Sequence, residues 1–555
     1  MTVQRTQSRD LNLADLQGNI VRAYGGYGYA RARYFFLNIS DGDKGRAFVD
    51  VIRQKVTTAE RWDQGSNNHP DGDFLPRPPV TLNITFTFWG LLALGLPTRT
   101  LRELPDEFID GMAKRRDMLG DVNASGPEHW DPVWRHAGLG GTADDMHMMI
   151  SMNASIDDTT GAAVPELEEQ TQWLRDLCAS NGGVKILPGN GPDGADYQDA
   201  AAKLVDGPDG KKQMTGKEHF GYTDGLGNPV FAGQYPPEIE KIKVIGRGKI
   251  TLDQKWAPIA PGEFIIGLAD ESQGLPPASK PWEFTQNGTF MVYRKLHQNT
   301  KSFADYVDKM ADQYAQVMGV DKTEASFTIK AKLVGRWPDG VPLMKAPTYK
   351  DWEAFNAKWK SEQQELEKKG DIAGLKALKT AFEIELMDWK FADDLDGIKC
   401  PVSAHMRRAN TRDMLDPNIT SPNMSSHSGS SLNKRRRILR RGLPYGTFDP
   451  DSPDDGDHGI IFIVVCTSIF RQFEFVQQQW IQYGLDFNVG NDTCPILGNH
   501  DERSKFVIAA DPASGNPPFV CPAMPQFVTT KGGDYFFLPS MTALQMIAMG
   551  SVDPT

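Results

Sequence analysis

Short segments in which apolar and polar residues alternate recur along this chain, and segments of helical periodicity separate them. The strand-like segments are RARYFFLNIS (31–40), TLNITFTF (81–88), DMHMMISMNAS (145–155), GGVKILP (182–188), EFIIGLAD (263–270), GTFMVYRKL (288–296) and GIIFIVVC (459–466). The helical segments are 43–62, 165–180, 302–318 and 468–483. Alternating strands are typical of antiparallel sheets, whereas the strands of doubly wound parallel sheets are apolar throughout. The pattern therefore predicts an α+β fold with antiparallel sheets and peripheral helices.

This succession of strands and helices occurs twice, which predicts two domains, at 8–235 and 236–555. A highly charged segment at about 350–390 interrupts the second half. Its apolar residues stand at helix-like spacings that break near Gly370, so we expect an inserted helical hairpin. A coiled-coil arm for a partner chain is the alternative, although fewer than three clean heptads are present.

Charge and composition exclude several classes of protein. The formal net charge of -12 argues against a nucleic-acid partner, because such proteins carry a broad basic surface. The first twenty residues contain no signal-like apolar core, and the longest apolar runs are far shorter than a membrane span. We therefore expect a cytoplasmic protein without a membrane partner. The five cysteines show neither a zinc motif nor a disulfide framework.

Two motifs carry most of the chemical information. Residues 219–229, HFGYTDGLGNP, place Asp224 among glycines, and residues 400–413, CPVSAHMRRANTRD, place His405 beside several arginines. Each motif alone has an ordinary explanation, since Asp-Gly is a common turn and a lone histidine is more often structural. Together they provide one axial imidazole, nearby cations and an acid, which a metal-bound macrocycle with anionic side arms requires.

A basic run, KRRRILRRG (434–442), adds a guanidinium to this set. It is either a nucleic-acid or import patch, or a cluster that meets internal anions such as propionates, phosphates or carboxylates. The second interpretation suits an acidic protein better. Arg440 beside Asp224 would complete a site for splitting hydrogen peroxide, which requires a base to move a proton and a cation to stabilise the departing oxygen.

These motifs resemble the dye-decolourising (DyP-type) haem peroxidases, in the larger branch shared by bacteria and fungi. The G-x-x-D-G motif stands at Gly221–Gly225, the proximal-histidine segment at Cys400–Asp413 and the distal-arginine segment at Ile438–Gly446. Further blocks with the same resemblance are LADLQGNI, FTFWGLLALG, FADDLDGIKCP, RQFEFVQQQW and GGDYFFLPS. The resemblance therefore extends over nearly the whole chain.

The resemblance implies two ferredoxin-like domains, with haem b in the second. The haem would be noncovalent, because the sequence contains no CxxCH motif. His405 would be the axial ligand, Asp224 the distal acid-base and Arg440 the distal cation. The implied haem contacts are His405, Arg408, Arg412, Gly225 and Arg441, the last of which is also the neighbouring candidate for the distal cation. Hydrogen peroxide and aromatic donors such as dyes and phenols would be the substrates, and an oligomer is compatible with the family.

Some features depart from the family or stay open. Some members carry an asparagine where this chain has Gly442. Either Glu474 or Ser468 could accept a hydrogen bond from the second ring nitrogen of His405. A noncatalytic haem-binding or haem-trafficking protein would share the histidine and arginines without needing Asp224 or Arg440. A metal-free hydrolase is the other alternative, but no nucleophile elbow is present.

Overall fold

The computed structural model describes residues 11–62, 75–135, 144–189, 191, 194–207, 209–276, 278–448 and 452–552. The strands are β1 Arg31–Ile39, β2 Val80–Phe86, β3 Met148–Ala154, β4 Val184–Ile186, β5 Gln198–Ala201, β6 Leu204–Asp206, β7 Lys212–Met214, β8 Lys249–Ile250, β9 Trp256–Ala257, β10 Thr289–Gln298, β11 Leu439–Arg440, β12 Leu443–Tyr445, β13 Gly459–Cys466, β14 Lys505–Ile508, β15 Phe519–Pro522 and β16 Val528–Leu538. The α-helices are α1 Gly18–Val21, α2 Gly42–Arg53, α3 Phe88–Ala93, α4 Thr98–Leu101, α5 Asp106–Asp110, α6 Arg116–Leu119, α7 Glu166–Asn181, α8 Pro237–Lys243, α9 Thr300–Met318, α10 Lys322–Val334, α11 Tyr349–Lys369, α12 Ile372–Glu385, α13 His405–Ala409 and α14 Met541–Met549. Two π-helical segments, Ile469–Glu474 and Val476–Ile481, follow β13.

The main sheet has ten strands, in the order β11-β13-β10-β16-β2-β3-β1-β4, with β12 also on β13 and β5 also on β1. All of its pairings are antiparallel. Strands of the two halves of the chain meet between β16 and β2, where the paired residues are Phe537 and Phe86. The predicted antiparallel α+β class is confirmed, and the domain boundaries at 8–235 and 236–555 stay a prediction.

Aromatic side chains join the two halves in a continuous core. The ring of Tyr293 on β10 lies 5.7 Å from Tyr34 and 5.6 Å from Phe36 on β1, and it stacks on Trp134 at 5.0 Å. All four side chains are buried. Edge-to-face and stacked aromatic pairs each add about 1 kcal/mol beyond the burial of their area. This packing holds β10, and the strands beside it, in a fixed place relative to the first half.

The structure corrects two of the sequence predictions. The segment EFIIGLAD forms a 3-10 turn and a loop instead of a strand, although Phe264, Ile265 and Ile266 are fully buried. A short apolar run has no periodicity that separates a strand from a buried turn. Helix α2 ends at Arg53 instead of about residue 62. The β-branched residues beyond it extend toward β2, where the Thr57 N–H donates to the Leu82 carbonyl at 2.8 Å. The sequence also predicts surface turns at 189–194 and 449–457, and parts of both segments lie outside the described residues.

The charged insertion is a helical hairpin, as the sequence predicts. A capping box between Thr348 and Asp351 begins α11, and Gly370, with φ of +63°, separates α11 from α12. The Trp359 ring on α11 contacts Phe382 on α12 at 5.1 Å. Helix α11 is anchored to the body of the protein because Trp352 stacks on the buried Trp337 at 4.8 Å. Within the described part of the chain, none of the helices combines the length and the apolar character that crossing a membrane demands.

Candidate active site

Three segments that are distant in sequence converge on one cavity of about 220 Å³. The loop after β7 contributes Asp224, helix α13 contributes His405 and strand β11 contributes Arg440. Apolar side chains line much of the remaining surface, among them Leu226, Leu296, Met406, Ile438, Phe462, Phe473, Val476 and Leu497. The structure therefore brings together the acid, the imidazole and the guanidinium that the sequence singles out.

The loop that carries Asp224 depends on glycine for its backbone conformation. Gly221 and Gly225 have φ of +92° and +80°, in the left-handed region that side chains rarely adopt. A Cβ atom added at either position would meet nothing within 4 Å, so space inside the protein does not demand glycine there. These two glycines serve the sharp turns on either side of Asp224.

A buried carboxyl group organises the same loop from inside. Glu218 accepts hydrogen bonds from the backbone N–H groups of Phe220 at 2.9 Å and Tyr222 at 2.7 Å, and from the Gln298 amide. Burial raises the pKa of Glu218 to about 7 and outweighs these three donors. The Asp224 N–H in turn donates to the Gly216 carbonyl at 2.8 Å. The backbone before Asp224 is therefore fixed at both ends.

Asp224 and Arg440 form an ion pair at the cavity wall. The Arg440 Nη1 donates to Asp224 Oδ1 at 2.6 Å, and Nη2 donates to the Leu226 carbonyl at 2.8 Å. The Asp224 side chain is 47% exposed, but it is exposed to the cavity instead of the outer surface. Burial raises the pKa of Asp224, but the charge of Arg440 and the Gly225 N–H outweigh this effect and hold the pKa below its ordinary value. Asp224 is therefore a carboxylate over most of the pH range.

Asn228 is a site residue that the sequence interpretation missed. Its Oδ1 accepts from the backbone N–H of Arg440 at 2.9 Å, and its Nδ2 donates to the Arg440 carbonyl at 3.3 Å. One amide thus ties the Asp224 loop to strand β11. The only signal in the sequence is the dipeptide Asn228-Pro229, which usually indicates a turn.

His405 begins helix α13 and turns its Nδ1 toward Cys494, at 3.2 Å from the sulfur. This leaves Nε2 as the ring nitrogen available to the cavity. The proposed acceptors Glu474 and Ser468 are wrong. Glu474 binds the Arg115 guanidinium and the Tyr535 hydroxyl, and the Ser468 side chain accepts from the Arg471 N–H.

The buried Arg294 lines the cavity too, but it is paired with Asp121. Three further buried arginines, Arg336, Arg412 and Arg437, also line the cavity. Their guanidinium groups donate to backbone carbonyls and methionine sulfurs, and none has a carboxylate within 4 Å among the described residues. The Arg412 Nε has no hydrogen-bond partner among the described residues. Burial lowers the pKa of Arg336 and of Arg437 to about 10.

Buried cations without anionic partners are costly, which indicates that an anionic group belongs beside them. A haem meets this requirement, because it carries two propionates, offers an iron to the free nitrogen of His405 and buries an apolar ring against the apolar lining. The residues present therefore fit a haem.

Three of the predicted haem contacts, Arg408, Arg441 and Gly225, do not line the cavity, and their contacts with a haem stay predictions. Arg408 donates to the carbonyls of Trp480, Tyr483 and Asp492 instead. Arg441 follows Arg440, and successive strand residues point to opposite faces, so its guanidinium reaches the carbonyls of α1. Gly225 contributes its N–H to Asp224.

The first two residues of the basic run meet internal carboxylates, as the interpretation of a cluster for internal anions predicts, whereas Arg436 donates to the Arg471 carbonyl. Lys434 pairs with Glu271 at 3.2 Å, and Arg435 pairs with Asp270 at 2.7 Å. At Gly442, a Cβ atom would lie 1.6 Å from the Ile461 carbonyl oxygen of β13. The close approach of these two backbones explains why this chain cannot carry an asparagine there.

Comparisons with known proteins find similarity over nearly the whole chain. Residues 15–176 match a family model described as the DyP dimeric alpha+beta barrel domain. The multifunctional dye peroxidase DyP2 of Amycolatopsis sp. is 27% identical over 562 residues, which cover 96% of each chain. Peroxidase 2 of Mycetinis scorodonius is 24% identical over 554 residues, covering 96% of this chain and 87% of that protein. A solved dye-decolorizing peroxidase in complex with 2,6-dimethoxyphenol has the same fold, with a TM-score of 0.65 and 22% identity over 97% of this chain and all of that one.

Proposed function

We propose that this chain is a member of the dye-decolourising peroxidase family and a haem-dependent peroxidase, which reduces hydrogen peroxide and oxidises dyes, phenols or other bulky aromatic donors by one-electron steps. The observation that carries this proposal is the Asp224–Arg440 pair in the cavity that also receives His405. A protein that only stores or carries haem has no use for a carboxylate and a guanidinium in that place.

The cofactor we propose is haem b, bound without a covalent link to the chain. His405 would hold it through Nε2, and Arg336, Arg412 and Arg437 would compensate the propionate charges. The sequence contains no CxxCH attachment motif. When bound, the haem supplies the iron at which peroxide is reduced and through which electrons from the donor pass.

The two distal side chains divide the work on peroxide between them. Breaking the O–O bond heterolytically requires that a proton move from the inner to the outer oxygen. The Asp224 carboxylate is ionised, so it can take that proton and return it to the departing oxygen. The Arg440 guanidinium donates hydrogen bonds to the negative charge that develops there. The ion pair between them keeps both side chains in place before peroxide arrives.

A haem would occupy the cavity itself, so bulky donors would need a route for electrons that avoids it. Arg412 indicates where this route lies. Its guanidinium lines the cavity, stacks over Trp389 at 3.3 Å and lies 5.4 Å from the ring of the partly exposed Trp256. We propose that electrons from bulky donors enter at Trp256 and pass by way of Trp389.

Rapid mixing with peroxide distinguishes this function from noncatalytic haem binding or trafficking. The protein loaded with one equivalent of haem is mixed with one equivalent of peroxide in a stopped-flow spectrometer. A peroxidase changes its Soret absorption within milliseconds, while a carrier reacts slowly and loses haem by bleaching. Failure to bind haem at all would favour the metal-free hydrolase. A cytoplasmic location and self-association stay predictions, which cell fractionation and sedimentation would test.

A further inference from the structure

The imidazole of His405 has a sulfur atom as its neighbour on the side away from the cavity. The Cys494 Sγ lies 3.2 Å from Nδ1, and the cysteine is fully buried. An imidazole that binds a metal through Nε2 carries its proton on Nδ1, so Nδ1–H is the donor and the sulfur is the acceptor.

The backbone of Cys494 is fixed on both sides. Its N–H donates to the Ile481 carbonyl at 2.7 Å, and its carbonyl accepts from the Gly498 N–H at 2.9 Å. The carbonyl also lies 2.9 Å from Nε2 of the partly buried His500. These hydrogen bonds fix the backbone of Cys494 and therefore the position of its sulfur relative to His405.

Arg408 connects the histidine helix to the segment that carries this cysteine. It stands three residues after His405 on α13, and its guanidinium donates to the Trp480 carbonyl at 2.8 Å and the Asp492 carbonyl at 2.7 Å. Both carbonyls lie on the stretch that leads to Cys494. These bonds set the separation between the imidazole and the sulfur, which gives this fully buried arginine a role outside the cavity.

The chemical nature of the acceptor matters for a metal-bound imidazole. A carboxylate acceptor draws the Nδ1 proton and makes the imidazole a more basic ligand, whereas a thiol sulfur is a weak acceptor. Glu474, the acid first considered for this role, is already bound to Arg115 and Tyr535. A less basic imidazole stabilises the oxidised iron less, so the reduction potential of the iron is higher.

We propose that Cys494 is the positioning residue of His405 and that its sulfur, as a weak hydrogen-bond acceptor, sets the reduction potential of the bound haem iron above the value that a carboxylate would give. This inference rests on the proposed function, since it requires a haem bound through His405. It adds a residue 89 positions away in the sequence to the machinery of the site.

The test compares Cys494→Asp, Cys494→Ser and Cys494→Ala in haem-loaded full-length protein, with Cys521→Ala as the matched control. Cys521 is also fully buried, but it lies on β15 and does not line the cavity. The measurements are haem stoichiometry and the ferric/ferrous midpoint potential by spectroelectrochemistry. We expect a negative shift in Cys494→Asp, a value close to wild type in Cys494→Ser, a positive shift in Cys494→Ala and no shift in Cys521→Ala.

Two kinds of failure are distinguishable. Should wild-type protein bind no haem, both the proposed function and this inference fall. Should all variants bind one haem and share the wild-type potential, the peroxidase proposal survives and the role of Cys494 is overturned. A shift in Cys521→Ala as large as those at Cys494 would overturn it too. If Cys494→Asp does not fold, the comparison of Cys494→Ser with Cys494→Ala decides the question: only serine keeps an acceptor, so only alanine should shift the midpoint potential, and equal potentials in the two variants would overturn the proposal.

Discussion

The Asn228 side chain forms hydrogen bonds with both backbone polar groups of Arg440: it accepts from the N–H at 2.9 Å and donates to the carbonyl at 3.3 Å. Asp224 stands four residues before Asn228, so this amide links the acid and the guanidinium through the main chain as well as through their own ion pair. The distal side of the cavity is therefore a closed ring of contacts. A ring of this kind keeps catalytic groups in position without help from the substrate.

Replacing Asn228 by alanine should open this ring. Each lost hydrogen bond contributes about 1 kcal/mol, and we expect the reaction with peroxide to slow about tenfold while haem stoichiometry stays at wild type. Stopped-flow rates on haem-loaded protein measure the effect. Asn181→Ala, at an exposed helix end, serves as the control and should react at the wild-type rate. An unchanged rate in Asn228→Ala would show that the ion pair alone holds the geometry.

Glu218 should make the stability of the protein depend on pH. Burial raises its pKa to about 7, above the ordinary 4.5, so the folded state favours the protonated form. Its contribution to stability is fully present below about pH 4.5 and is lost as the pH rises through about 7, a change of about 3 kcal/mol.

A glutamine at this position cannot ionise. The Glu218→Gln protein should therefore be less stable overall, but its free energy of unfolding should change less between pH 4.5 and 7. Denaturant unfolding between pH 4.5 and 8 gives the free energy of unfolding for both proteins. Parallel pH profiles for wild type and Glu218→Gln would exclude this assignment. Glu168→Gln, whose side chain is 63% exposed, is the control.

Arg437→Gln should have opposite effects on the haem-free and haem-loaded protein. Without haem the change removes a buried cation that lacks an anionic partner, and we expect the melting temperature to rise. With haem it removes a charge that compensates a propionate, and we expect affinity to fall at least tenfold, or about 1.4 kcal/mol.

Arg441→Gln is the matched control, because this partly buried arginine follows the same strand but donates to carbonyls of α1, away from the cavity. Haem titrations and thermal melts on both variants make the comparison. Equal losses of haem affinity in the two variants would support Arg441 as a haem contact and contradict the distinction drawn here between the two arginines.

Trp256→Phe should slow the oxidation of bulky donors and leave the oxidation of small donors unchanged. Loss of the partly exposed indole removes the proposed entry point for electrons, so turnover of a large anthraquinone dye should fall about tenfold. The reaction with peroxide, which takes place in the cavity, should keep its rate. Trp173→Phe, on helix α7 and absent from the cavity, is the control. A dye turnover that is unchanged in Trp256→Phe would place the entry point elsewhere.

Much of this arrangement could be predicted from the sequence, because its signals are local. The alternation of apolar and polar residues predicts the antiparallel sheet. The dipeptide Asp224-Gly225 and the segment around His405 predict two of the segments that line the cavity. Tertiary contacts left no such signal. No residue near His405 in the sequence indicates that Cys494 is its hydrogen-bond partner. Likewise, the sequence around Arg408 and Arg441 does not indicate that their guanidinium groups donate to carbonyls outside the cavity.

The same limit explains the errors in secondary structure. The run Phe264–Ile266 is as apolar as a buried strand, but it packs as a turn because Gly267 has φ of +91° and Ile266 bonds across to the Gly288 carbonyl. A short apolar run predicts that its side chains are buried, but it does not predict that its backbone pairs with another strand.

The central claim is that Asp224 acts as an ionised base. Its neighbours hold its pKa below the ordinary value, with Arg440 as the main cause that opposes burial, so the carboxylate persists as the pH falls. Peroxide reactivity should therefore be retained in mildly acidic buffer and be lost only below the ordinary range for aspartate. An activity that appears only above neutral pH would argue against this assignment.

The most direct measurement compares wild type and Asp224→Asn, both loaded with one equivalent of haem, in stopped-flow mixing with peroxide. Asparagine keeps the size of the side chain but cannot take a proton, so we expect the rate to fall by about 10²–10⁴ while the Soret spectrum at rest is unchanged. An Asp224→Asn protein that reacts as fast as wild type would contradict the account.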